Sequence, residues 1–397
     1  MSAFLRLGTP IGKGDLITDA WGVQKVSRPV SLLHGMWTYD IPANMWFMYE
    51  NGAQVYTSAQ IISEAGAAKL TANVTKTTVL LESKECPRYQ PNRGHLFSTA
   101  GWFPSKTADG VRDFGLFTTE NGVFFRLKAD GKLYAVLRRA GIEVLEQEIN
   151  TSVLTGFDVE KNNIYDIQFQ WRAAGNYYFY IGDPATGAST LVHAFNLLGT
   201  LTSPSLSNPA LPISFKATRV TEDVVMHLGC ADITSENGVV LNSEIYASAY
   251  AEAVAVVTDT PVIVIKQPLQ INSTTNTRTI SLARISVNCN KKAVFKVWIT
   301  RDSTAITGAT YVALGEGSFV ETDSPNTKTG AVRATAVTLN KLKFVTSISI
   351  EATSRTAVDN PYRGRIEFPL VRGDYLVVTC TAATAIAEVV VEWGEQI

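Results

Sequence analysis

At 397 residues, 46% hydrophobic and 18% charged, the chain has the composition of a packed globular protein rather than a disordered one. Its 35 basic and 36 acidic residues leave a formal net charge of −1, so no strong field points to nucleic acid or a membrane surface as partner. No apolar run approaches the length of a spanning helix and no charged-then-apolar opening marks a secretory signal, so folding is expected in a cytoplasm.

In chain order, residues 1–58 are broken by Gly8, Gly12, Gly14, Gly22 and Gly35 and by Pro10, Pro29 and Pro42. Yet they carry Trp21, Trp37, Tyr39, Trp46, Phe47, Tyr49 and Tyr56, more large aromatic surface than a free arm exposes. The expectation is an extended anchoring arm over 1–58, with Trp21, Trp37, Trp46 and Tyr49 as assembly contacts. The alternative is a segment lying over its own sandwich. Residues 59–75 read as a short helix or a strand pair, and 77–83 as a strand. The loop CPRYQPNRGHLFSTAGWFP sets Arg88, Arg93 and His95 beside Tyr89 and Trp102. It suits partner contact, or ordering by Glu85, Asp109 or Asp113.

The best-patterned stretch is Asp113 to Tyr180. Asn121-Gly122 and Asp130-Gly131 supply the positive φ of tight turns between β-rich runs, predicting strands at 113–119, 122–128 and 132–138. On the middle strand Val123, Phe125 and Leu127 share one face, and Phe124, Arg126 and Lys128 the other. Later, Tyr165, Ile167, Phe169 and Trp171 alternate with Asp166, Gln168, Gln170 and Arg172. A sheet so divided buries its apolar face against a second sheet. With strands at 142–149 and 224–233, roughly ten strands at hairpin spacing predict an antiparallel sandwich or jelly roll over 59–235. Residues 236–248 read as a linker. A second β-sandwich over 249–397 follows, in which KAVFKVWI and EVVVEW alternate and no long helical periodicity appears. The fold class expected is therefore all-β, two antiparallel sandwiches behind an arm.

Chemistry is sparse. No GxSxG elbow, HExxH, EF-hand loop or P-loop occurs, and Gly12-Lys13-Gly14-Asp15 lacks strand–turn–helix context. His34, His95, His193 and His227 are isolated, and the four cysteines (Cys86, Cys230, Cys289, Cys380) show no zinc spacing. They read as buried thiols, with a disulfide left open. Asp109 with Asp113, or Asp158 with Glu160, could pair for glycoside cleavage, but both pairs sit in turn-like sequence. Arg372-Gly373-Asp374 matches an adhesion tripeptide and also a simple turn. If the strands of Arg126 and Gln168 are neighbours, Arg126, Gln168, Gln170 and Arg172, with Arg88 and Arg93, form a polar patch for a glycan or other partner. No catalytic residue, metal or cofactor is expected.

NRGHLFSTAGWFP, RDFGLFTTENGVFFRL, LYAVLRR, NNIYDIQFQWRAAGNYYFYIG, SNPALPISF and, near the ends, TDAWGVQKV, LLHGMWTYD and YRGRIEFPLVRGDYLVV make the chain similar to a family of structural proteins of tailed bacteriophages. The resemblance spans nearly the whole chain. It implies a concanavalin- or laminin-like jelly roll carried on a virion, made in the host cytoplasm, and it brings no catalytic motif. The expected function is a non-enzymatic head decoration, head fibre, tail or baseplate component. Its partners would be other virion proteins and further copies of itself, trimeric closure being favoured. A glycan-binding adhesin is the alternative, and a capsule depolymerase the next.

Overall fold

The computed structural model describes residues 30–42, 45–87, 89, 93–171, 175–236, 244–255, 259–271, 274–278, 280–315, 318–351, 354–359 and 369–396. The chain divides into two compact units, Met1–Val240 and Leu241–Ile397. Among the described residues both are built of antiparallel strands, with short 3-10 turns and no α-helix.

The strands of the first unit are β1 (Val30–Met36), β2 (Trp46–Glu50), β3 (Ala53–Val55), β4 (Ile61–Glu64), β5 (Ala67–Ala72), β6 (Thr78–Ser83), β7 (His95–Trp102), β8 (Gly110–Phe117), β9 (Gly122–Leu127), β10 (Leu133–Arg139), β11 (Ile142–Glu148), β12 (Asn163–Gln170), β13 (Asn176–Gly182), β14 (Ser189–Asn196), β15 (Ile213–Arg219) and β16 (Val224–Ser235). They form two eight-stranded sheets. The front sheet runs β14-β13-β12-β7-β16-β5-β4, with β1 also paired to β16; the back sheet runs β11-β10-β9-β8-β15-β6-β2-β3.

Alternation puts one face of each sheet into a shared core. From the back sheet, Phe114 and Phe125 stack at 5.2 Å; from the front sheet, Tyr165 meets Phe114 at 5.0 Å and Phe179 meets Phe125 at 5.1 Å. Offset and edge-on aromatic pairs of this kind add about 1 kcal/mol each beyond their buried area. Arg112 is wholly buried beside them, its guanidinium donating to the carbonyls of Val225, Pro104 and Ser105, and burial lowers its pKa to about 10.

The arm expected over 1–58 does not hold from residue 30 onward. β1 pairs with β16, whose partner residues lie some 200 positions later, and β2 pairs with β6. Trp37 and Trp46 are 0% and 1% exposed, 5.3 Å apart, and pack with Phe215 in the core. Gly35, one of the breakers that suggested an arm, serves this packing instead: a Cβ there would lie 2.5 Å from the Trp46 ring. Residues 61–72 are a strand pair, not a helix.

The meander forms as its alternation predicts, β8 with β9 and β9 with β10. One turn differs. Asn121-Gly122 is not the centre of a two-residue turn; the loop is 118–121, closed by Thr118 N–H to Asn121 O, and Gly122 already pairs with Phe117. Asp130-Gly131 sits in a tight loop with Gly131 at φ 73°, the left-handed position that glycine favours.

In the second unit, Glu244–Val254, Ile386–Gln396, Ile280–Cys289 and Ser354–Asp359 form one sheet, with Pro369–Leu370 on Ile280–Cys289. The other comprises Val312–Gly315, Ser318–Thr322, Thr260–Lys266, Tyr375–Cys380, Ala293–Thr300 and Lys343–Ile350. Phe295, Val297, Val389, Val391 and Trp393 fill its core, the faces that alternation assigned. The first strand begins at Glu244, inside the stretch expected as linker.

Candidate functional site

With both inner faces committed to the core, partner contact falls to the outer faces. On the back sheet, Phe117 and Phe124 lie over Gly122 and Gly115, their cross-strand partners. A Cβ at Gly115 would come within 2.7 Å of the Phe124 Cα, and one at Gly122 within 2.3 Å of the Phe117 Cβ, so only glycine fits opposite these residues. With Val136 they make a small outer cluster. Arg126 lies 5.4 Å and Arg138 4.9 Å from the Phe124 centroid, in cation–π range.

Carboxylates then close the surface. Arg126 makes paired bonds to Asp113 at 2.7 and 3.0 Å and to Glu143 at 2.7 Å on both oxygens, and Arg138 adds a bond to Glu143 at 3.0 Å. Hydrogen bonding from Arg126 holds the Glu143 carboxyl down at about 2; burial opposes this and Arg138 reinforces it. For Arg126, burial pulls the pKa down, but the bonds to Asp113 and Glu143 outweigh it and hold the charge firmly.

Arg126 and Gln168 therefore do not share a patch: β9 and β12 belong to opposite sheets. Gln168 is 7% exposed, donating to both Glu236 oxygens at 2.8 and 2.7 Å while Tyr180 donates to its carbonyl at 3.2 Å. Gln170 is 0% exposed. Arg93 is half-buried, whereas Trp21, Arg88 and Arg172 lie outside the described residues. Tyr49 is half-buried next to Phe47, the one described member of the expected arm contacts that the core does not take.

The front sheet's outer face is different. Pairing register places Tyr180, Asp166, Ser98, Asp232 and His34 in one row across β13, β12, β7, β16 and β1. The next row is Ile164, Ala100, Cys230 and Met36, with Gly182 facing Ile164. Beyond it Trp102 stacks on His227 at 4.6 Å with rings 5° from parallel, and Lys69 stands opposite His227. Asp166 accepts from Ser98 at 2.6 Å and Ser189 at 3.0 Å, and Asp232 from Ser31 at 2.6 Å. Burial raises the Asp166 pKa, only partly offset by those two hydroxyls. Sequence patterning names the outward side of β12 but misses Asp232, His34 and His227, because which strands adjoin it is set by pairings far apart in the chain.

The other candidate chemistry resolves into structure. Asp109 accepts from Thr221, and Asp113 holds Arg126. Asp158 accepts the Glu160 N–H, and Glu160 accepts the Lys106 N–H. His95 lies among Tyr89 and Phe169, its pKa pushed down to about 4 by burial. Arg372-Gly373-Asp374 is a buried turn with Gly373 at φ 82°; Arg372 and Asp374 are 3% and 1% exposed, and Asp374 pairs with Arg301 at 2.6 Å. All four cysteines carry thiols; Cys86, Cys289 and Cys380 are buried, while Cys230, expected to be buried, is exposed. A cavity of about 350 Å³ lined by Lys106, Lys132, Glu148, Phe157 and Asp158 is bridged by Lys132–Glu148 and Lys106–Asp158 ion pairs.

No protein-family model and no curated protein matches the chain. Solved structures do. A glycosyl hydrolase family protein from Mycobacterium fortuitum overlaps 51% of this chain and 99% of its own at 13% identity and a TM-score of 0.38. An immunostimulatory antigen and pseudo β-1,3-glucanase of Mycobacterium tuberculosis overlaps 52% and 98% at 11% identity and 0.37. The potassium-bound carbohydrate recognition domain of Emp46p overlaps 50% and 90% at 11% identity and 0.33. At these scores the likenesses carry no argument about function. The all-β sandwich class rests on the strand register itself.

Proposed function

We propose that this chain is a non-enzymatic component of a tailed-phage particle, and that its first sandwich meets a partner through the open rows of its front sheet. The observation that carries the second half is the contrast between the two outer faces: Arg126, Asp113 and Glu143 satisfy one another on the back, while Asp232, His34, Cys230 and Trp102 remain accessible on the front. The particle assignment is supported by the resemblance and by two closed cores of the kind that stack in assemblies. The non-enzymatic assignment is supported by the structural engagement of the acidic pairs: Asp109 accepts from Thr221, Asp113 holds Arg126, and Asp158 and Glu160 accept backbone N–H groups.

Copies would assemble with cyclic symmetry, trimers being the simplest fit to a virion appendage. Quantitative mass spectrometry of purified particles tests this: the chain is expected at a fixed copy number that survives a high-salt wash. Its absence from washed particles overturns the assignment.

The second reading is recognition of a host-surface glycan, favoured by an indole beside a row of hydroxyl-accepting carboxylates. Incubating the chain with host polysaccharide should give binding without new reducing ends; release of reducing ends would make it a depolymerase.

A further inference from the structure

Resting on the glycan reading, we infer that the ligand lies in a trough on the front sheet's outer face, floored by Ala100, Gly229 and Cys230 between Ile164 and Met36, and that it is a neutral oligosaccharide. The floor follows from the register: Ile164 and Met36, both exposed, stand at its two ends, and between them Ala100, Cys230 and, adjoining the bulge between Leu228 and Cys230, Gly229 are all small. One wall is the row Asp166, Ser98, Asp232 and His34; the other is Trp102 on His227. Four strands at ~4.8 Å spacing, from Ile164 to Met36, make the floor about 14 Å long, the span of a short oligosaccharide rather than a single sugar.

Three features select the ligand. Asp166 and Asp232 already accept hydrogen bonds from Ser98, Ser189 and Ser31, so both carboxylates are oriented to take hydroxyl donors, the groups a sugar offers. Trp102 is half-buried with one ring face on His227, which holds the indole upright as a wall for the apolar face of a pyranose ring. His227 is 8% exposed, and its buried Nδ1 has no hydrogen-bond partner among the described residues, an unsatisfied polar atom beside the indole. Two carboxylates in the same row repel a polyanionic chain, which turns the preference to neutral sugars.

Cys230 makes the test direct, since it is exposed on the floor while Cys86, Cys289 and Cys380 are buried. The full chain is titrated calorimetrically with neutral gluco-, manno- and galacto-oligosaccharides and with an acidic hyaluronan oligosaccharide, before and after reaction with a bulky maleimide. The expected result is binding of a neutral oligosaccharide that weakens at least tenfold on labelling and in Trp102→Ala. Cys230→Ser should bind normally and be indifferent to the reagent, and Asp232→Asn should weaken binding without unfolding the chain. Undiminished binding after labelling overturns the trough while leaving glycan recognition standing, and so does preference for the acidic sugar. Failure of the whole panel to bind the unlabelled chain removes the glycan reading and the trough with it.

Discussion

The two outer faces of the first sandwich carry similar residue types and arrive at opposite states. On the back, Arg126 and Arg138 lie over Phe124 and are matched by Asp113 and Glu143 within the sheet. On the front, Asp232 and Asp166 meet only small hydroxyls, His34 is exposed, and Trp102 is covered on one ring face. On the back face Phe117 and Phe124, across from Gly122 and Gly115, form a base for the guanidinium groups of Arg126 and Arg138. The front face has no such cluster to organise its charges. An arginine on a sheet surface is thus a poor pointer to a binding site when carboxylates stand across from it on the neighbouring strands.

That comparison can be broken in several places. The largest effect is expected in the core beneath both faces. Trp46→Ala should lower stability by about 3–5 kcal/mol, the usual loss for a buried aromatic, measured by denaturant unfolding. A loss below about 1 kcal/mol would restore the arm expected over these residues. Next comes Arg126→Ala, which strands Asp113 at 3% exposure and should cost about 3 kcal/mol while leaving any front-face binding unchanged. Loss of binding in a variant that still folds would place the partner on the back face.

Acid should act more gently. Glu143 has a folded pKa of about 2 against the ordinary 4.5 of a free glutamate, so its stabilisation is fully present above about 4.5 and is lost as pH falls from there through 2. Glu143→Gln should flatten the stability profile across that window, and an unchanged slope would show that the Arg126–Glu143 pair does not form in solution. The smallest effect is expected for Asp232→Asn on the open face, within about 0.5 kcal/mol in stability. A larger loss would mean that this row is structural.

How much of this was legible in the sequence follows from how local each feature is. The 113–138 meander, the two faces of Tyr165–Trp171 and the alternation of KAVFKVWI and EVVVEW all depend on neighbours in the chain, and all form as their pattern implies. The Trp37 and Trp46 positions misled because their strands pair with β16 and β6, and local breakers such as Gly35 read as looseness when they are clearance for a ring. The polar patch misled for the same reason: alternation says which way Arg126 and Gln168 point, but not that β9 and β12 lie in different sheets. The expectation of a buried Cys230 follows from how free cysteines usually pack; the bulge between Leu228 and Cys230, which has no sequence signature beyond a single glycine, goes with its exposure.

The most direct test of the account is side-chain footprinting by hydroxyl radicals on the full chain, with and without host-surface polysaccharide. Trp102, Met36 and Tyr180 on the front sheet should become protected, with Tyr134 on the back sheet unchanged. Protection of Tyr134 with Trp102 and Met36 unaffected would contradict it.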